Sequence, residues 1–121
     1  MNNIETFVSD ISEEIKNESI NNAIGFGYQD EGFTTFISNN DIKTSLNKKR
    51  LRESVIDKVK EKFSSLGYNV KNVENGINVF APPLLIEKDS YTLEELRERN
   101  KIKNELEERR RINLIQQQLN S

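Results

Sequence analysis

Cysteine, histidine and tryptophan are all missing from this 121-residue chain. Without cysteine there is no disulfide framework, no thiol nucleophile and no thiolate metal site. Without histidine there is no imidazole base or imidazole metal ligand, which removes the side chain that most often carries protons near neutral pH. A zinc finger is excluded on both counts. No window approaches the roughly 18 consecutive apolar residues that a spanning helix needs. The first residues also lack the charged-then-apolar pattern of a secretory leader. The expectation is a soluble, cytoplasmic protein without cofactor or metal.

Apolar residues make up 34% of the chain and charged residues 31%. Typical domains are roughly 45–50% apolar, counting glycine, and about a quarter charged. The length suits one domain, so either its core is small or some segment lies outside it. Asparagine (16), isoleucine (13) and lysine (11) dominate, while alanine occurs twice. These residues have A/T-rich codons, so the composition fits a low-GC genome such as that of many phages or low-GC bacteria. The net charge of −2 is uneven, with −6 over residues 1–40, +3 over 41–91 and +1 over 92–121. An acidic start and a basic middle suit complementarity within the fold or with a partner. The near-zero total speaks against a general nucleic-acid binder, which carries a clear basic excess.

Hydrophobic spacing orders the elements. Ile4, Phe7, Val8, Ile11 and Ile15 share one helical face, with Asn2 or Asn3 as cap and Glu5 in the first turn. The pattern fades near Ser19–Asn22. Ala23–Tyr28 and Phe33–Ser38 flank the turn residues Gln29–Gly32 and predict a hairpin, with Ile24, Phe26 and Tyr28 on one face and Gly25 and Gly27 on the other. Asp41 is placed to cap a second helix, whose stripe is Leu51, Val55, Val59, Phe63 and Leu66. Ile42 and Leu46 fall off that stripe, so the helix either breaks near Asn47 or packs its first turns elsewhere. Gly67 is placed to end it. Tyr68–Val73 and Ile77–Ala81 predict a second hairpin around Glu74–Asn75–Gly76, with Val73 facing Ile77 and Gly76 left-handed. Pro82 and Pro83 stop the strand. Leu84–Ile86 is a short extended apolar stretch.

The last helix has the clearest start. Thr92 is its N-cap, Glu95 completes a capping box, and Tyr91 and Leu96 suit a hydrophobic staple. Between Arg97 and Arg111, eleven of fifteen residues are charged. Glu95–Arg99, Glu105–Arg109 and Glu107–Arg111 are i,i+4 pairs in the favourable order. Ile102 and Leu106 lie on one side, while Ile112, Ile115 and Leu119 lie roughly 100° away, so no continuous coiled-coil seam forms. The pattern describes a solvated rod with an apolar tip at Ile112–Leu119, beside Gln116–Gln118. That tip either folds back onto the sheet or docks on another protein or another copy.

The expected fold is α+β. A body over residues 1–86 would be helix–hairpin–helix–hairpin, with a four-stranded antiparallel sheet and two helices on one face. A long charged helix over residues 87–121 would serve packing, partner binding or self-association.

Candidate chemistry is sparse. Lys48, Lys49, Arg50 and Arg52, with Lys43 and Lys58 nearby, form the densest basic cluster and a possible phosphate-contacting surface. No aromatic residue is interleaved for base stacking. A solvated helix face, or pairing with the acidic first helix, is the commoner use of such a cluster. Asp30 and Glu31 are adjacent acids in a turn without metal-loop spacing. Gly25-x-Gly27 is too short for a phosphate loop. No carboxylate pair has a spacing that suggests acid–base catalysis. The expectation is therefore a non-enzymatic, phage- or mobile-element-encoded interaction protein, either a virion or assembly component or a small inhibitor of a host protein. Ile112, Ile115 and Leu119 would be its anchors and Arg109, Arg110 and Arg111 would steer. Leu84, Leu85 and Ile86 would extend the same surface. The alternative is a nucleic-acid-associated protein using Lys48–Arg52.

Overall fold

The computed structural model describes residues 3–26 and 29–120. The elements are α1 (Ile4–Phe26), β1 (Phe33–Ser38), α2 (Asn39–Ser45), α3 (Glu53–Ser65), β2 (Asn69–Val73), β3 (Gly76–Ala81) and α4 (Leu93–Leu119). The strands form one antiparallel sheet in the order β1-β3-β2. The α+β class and the long last helix stand, but the described sheet has three strands rather than four.

The lost strand is the main correction. Residues 23–26, expected as one arm of a hairpin, complete α1 instead. Gly27 and Tyr28 lie outside the described residues. The helical stripe does not end at Ile15. It continues through buried Ser19 and Ala23, with Ile20 and Ile24 half-buried beside them. Ser19 is 5% exposed and Ala23 3%, so both hold core positions with side chains too small or too polar to read as apolar. Phe26, expected on one face of a strand with Ile24, is 64% exposed at the end of the helix. At the other end, Asn3 Oδ1 accepts the Thr6 N–H at 2.8 Å and caps α1.

The basic middle of the chain breaks into two helices. Ser38, not Asp41, caps α2: its Oγ accepts the Asp41 N–H at 3.0 Å, and Asp41 Oδ2 accepts the Ser38 N–H at 3.4 Å. Asp41 is thus the third helical residue of a capping box. Asn47, at φ 54°, ends α2 in the left-handed region. The Lys48 N–H then reaches the Lys43 carbonyl at 2.9 Å and the Asn47 N–H reaches that of Thr44 at 3.1 Å. The same closure ends α3, where Gly67 has φ 95° and the Tyr68 N–H bonds the Phe63 carbonyl at 3.2 Å.

Helices α1, α2 and α3 supply one side of the main core. Phe7, Val8 and Ile15, Ile42 and Leu46, and Val59 and Phe63 meet Ile37, Ile77, Val79 and Ala81 of the sheet. The strand register explains that choice of face. Ile37 pairs with Ile77, Thr35 with Val79 and Phe33 with Ala81, so alternate residues point to the helices. The β2–β3 loop has two residues rather than three, because Val73 pairs with Gly76 and Asn72 with Ile77. The left-handed residue is Asn75 at φ 65°. Gly76 is needed for another reason: a Cβ there would meet the Ile37 carbonyl oxygen and the Phe36 ring.

A second, smaller core attaches α4. Ala23, Leu85 and Leu106 are buried together, with Ile20, Ile24, Leu84 and Ile102 packed against them. This cluster covers the far end of α1 and removes any need for those residues to pair in a sheet.

Two outcomes follow from this packing. Gly76→Ala should lower stability by about 1–3 kcal/mol through overpacking, seen as a reduced urea midpoint. Leu106→Ala should cost about 2 kcal/mol, the low end for a buried leucine, whereas Leu119→Ala, at a site 79% exposed, should leave the midpoint unchanged.

Candidate interaction site

The site is built outward from the start of α4. The Thr92 Oγ1 accepts the Glu95 N–H and Glu95 Oε1 accepts the Thr92 N–H, each at 3.1 Å. The Lys88 ammonium also pairs with the Glu95 carboxylate. The hydrogen bond from Lys88, followed by those from Thr92, holds the Glu95 carboxyl well below the usual range, at about 2. The Tyr91 hydroxyl donates to the Ile86 carbonyl at 3.0 Å and accepts the Lys88 N–H at 2.9 Å. Arg99 donates to the same Ile86 carbonyl at 2.8 Å and pairs with Glu87 at 3.1 Å. Its guanidinium lies 5.1 Å from the centroid of the Tyr91 ring, over its face. Residues 86–91 therefore clasp the first two turns of α4 and set its direction. Leu96, the expected staple partner of Tyr91, is 40% exposed.

Beyond the clasp, Ile102 and Leu106 rest on α1 through the second core. Arg110 Nη2 then donates to the Ile24 carbonyl at 3.2 Å. Helix α1 has no basic residue in its own last turn, so Arg110 supplies the cation that its carbonyl end favours. All three arginines expected to steer a partner are exposed, and Arg110 is the one that hydrogen-bonds to α1. Neither Glu105–Arg109 nor Glu107–Arg111 closes as an ion pair among the described residues. Solvated charges of this kind gain little by pairing.

After Arg110 the helix is exposed on all sides. Ile112 is 43% exposed, Leu114 55%, Ile115 50% and Leu119 79%. From Leu106, its last buried residue, α4 advances about 20 Å to Leu119. The apolar tip does not fold back onto the sheet. Ile112, Ile115 and Leu119 are spaced i, i+3 and i+7 and share one side.

The other expected residues are placed differently. Lys48, Lys49, Arg50 and Arg52 are exposed in the α2–α3 connection rather than along a helix face, because Asn47 breaks the helix. The acidic α1 is joined to α3 at Lys62–Glu5, 3.2 Å apart. Leu84 and Leu85 belong to the second core and do not extend the tip surface, while Ile86 is 50% exposed on the clasp. Asp30 Oδ1 accepts the Gly32 N–H at 3.0 Å, a turn-forming role that suits the left-handed Gly32 at φ 83°. Gly25 lies within α1 with open space around it.

Spacing missed one surface. The sheet face opposite the helices carries Thr34 and Phe36 of β1, Asn78 and Phe80 of β3, and Lys71 of β2. Phe36 is 52% exposed, and a cavity of about 800 Å³ lies over Thr34, Lys71, Asn78 and Phe80. The alternation in β1 was visible, but the face left open depends on which side the helices cover. Among the described residues, no group of three or more acidic side chains is placed to hold a metal ion. No described helix is long and apolar enough to cross a membrane.

The start of α4 has a defined acid response. The Glu95 carboxyl is lowered from 4.5 to about 2, so its contribution is complete above pH 4.5 and is lost as pH falls towards 2. An acid titration of helicity should show that loss in the native chain, and Glu95→Gln should remove that part of the pH dependence. A variant titrating identically to the native chain would contradict the clasp. In comparisons with known proteins, no family model, no curated protein and no solved structure matches this chain.

Proposed function

We propose that this chain is a non-enzymatic protein-interaction or assembly module that presents the tip of α4 to a partner. The observation that carries the reading is the exposed apolar stripe of Ile112, Ile115 and Leu119, held about 20 Å beyond the last buried residue of α4. Nothing in folding requires that stripe. The clasp, the second core and the Arg110 cap orient the helix before the stripe begins. An oriented helix loses less freedom on binding than a flexible tail, and spacing of i, i+3 and i+7 suits a groove or a facing helix. Arg109 and Arg111 sit at its base and favour an acidic rim on the partner. The chain would act in the cytoplasm or within a particle, as a virion component, an assembly factor or an inhibitor of a host protein.

The test uses Ile112→Asp/Ile115→Asp in the full chain, because cutting after residue 91 would also remove Leu106 from the second core. Light scattering should show an assembly larger than a monomer for the native chain and a monomer for the double variant, with unchanged far-UV spectra. If the native chain is itself monomeric, the reading requires a host protein that co-purifies with it and is lost from the variant. A monomer whose co-purifying proteins are unaffected by the double substitution removes the reading.

A further inference from the structure

A second surface lies at the opposite functional pole, where the start of α1 meets α2 and α3. A groove of about 570 Å³ is lined there by Ile4, Leu46 and Val55 and by Lys48, Lys58 and Lys62. Leu46 is buried and Ile4 and Val55 are half-buried, so they form an aliphatic floor, while the three lysines are exposed around it. Two acids, Glu5 and Glu61, also line it, and Lys62 neutralises Glu5 at 3.2 Å. Lys48 and Lys58 have no counter-ion among the described residues. Lys49, Arg50 and Arg52 follow directly in the chain and are exposed. The three lysines outnumber the two acids, so the rim carries a net charge of +1, which Lys49, Arg50 and Arg52 extend, and the floor is apolar.

We propose that this groove docks an acidic amphipathic helix of a partner protein, with carboxylates on Lys48 and Lys58 and aliphatic side chains on Ile4, Leu46 and Val55. The floor decides between the two polyanions that the rim would accept. A single strand gains from rings on which bases stack, and no ring lines this groove, while a duplex gains only from the cations and leaves the aliphatic floor unused. A helix with an apolar stripe and flanking carboxylates satisfies floor and rim together. The positive end of α1, at Asn3–Glu5, adds to the same field. A second copy of the chain matches poorly. The α4 tip couples its apolar residues to arginines, and the exposed Leu93 and Leu96, although flanked by Glu94 and Glu98, offer a single helical turn whose Glu95 is already held by Lys88 and Thr92. The partner is therefore a different protein, and this surface acts independently of the α4 tip.

The probe is a fluorescent synthetic helix of about four turns, with leucines at i, i+3, i+4 and i+7 and glutamates elsewhere. Controls are a scrambled peptide of the same composition and mixed-sequence DNA, all titrated against the full chain. The patterned peptide should bind at least about tenfold more tightly than the scrambled one. Lys48→Glu/Lys58→Glu should weaken it by about tenfold or more without changing the melting temperature, and Ile112→Asp/Ile115→Asp should leave it intact. Equal binding of patterned and scrambled peptides, no binding, or indifference to the charge reversal would overturn the proposal. So would tighter binding of DNA with a steep salt dependence, which assigns the surface to nucleic acid. Self-association of the native chain in light scattering that excess peptide reverses would assign it to a second copy.

Discussion

Leu85 and Leu106 close over Ala23 at the far end of α1, and the layout of the molecule follows from that contact. It gives the last turns of α1 an apolar partner, so residues 20–26 stay helical rather than turning back as a strand. The sheet is consequently left with three described strands. The same contact brings α4 beside α1 and lets Arg110 reach the Ile24 carbonyl. Each buried aliphatic side chain contributes about 1.5–3 kcal/mol by leaving water, more than any of the exposed ion pairs nearby. Burial therefore positions α4, and the charges trim its ends.

The clasp over residues 86–91 shows how polar groups act where burial is thin. The Ile86 carbonyl accepts from both the Tyr91 hydroxyl and Arg99, and the Tyr91 ring lies beneath the Arg99 guanidinium. Lys88 and Thr92 converge on Glu95. These contacts are individually modest, but they link the connection to the first two turns of α4. A helix so heavily charged has few apolar contacts, so the clasp ties its first two turns to the preceding connection while the second core sets its position.

Two surfaces pair apolar side chains with basic ones. At the α4 tip, Ile112, Ile115 and Leu119 sit above Arg109 and Arg111. In the groove, Ile4, Leu46 and Val55 lie among Lys48, Lys58 and Lys62. A net charge of −2 conceals both, because α1 carries five acids against a single base and offsets the bases elsewhere. Averages over the whole chain thus understate how strongly an acidic partner would be attracted at either place.

Several helix boundaries were legible along the chain. The Thr92–Glu95 box, the Gly67 terminus and the Asn3 cap are contacts between residues a few positions apart, so composition and spacing suffice to locate them. The exposed tip was also foreseeable as one of two placements, since Ile112–Leu119 follows a run of charge. The hairpin at Glu74–Gly76 was found in the right place with its register displaced by one residue, because the choice of left-handed residue depends on the close approach of β1 to Gly76. The extent of α1 was not legible. Ala23 is a core position only because Leu85 and Leu106 cover it, Ser19 is buried one turn earlier, and a small or polar side chain does not announce burial. The groove likewise required α1 to lie beside α2 and α3, which places Ile4 near Lys48 although more than forty residues separate them. Local hydrogen bonding and periodicity depend on near neighbours and are written in order along the chain. Which faces are covered, and which remain open to a partner, depends on desolvation between distant segments, and that is set when the helices pack.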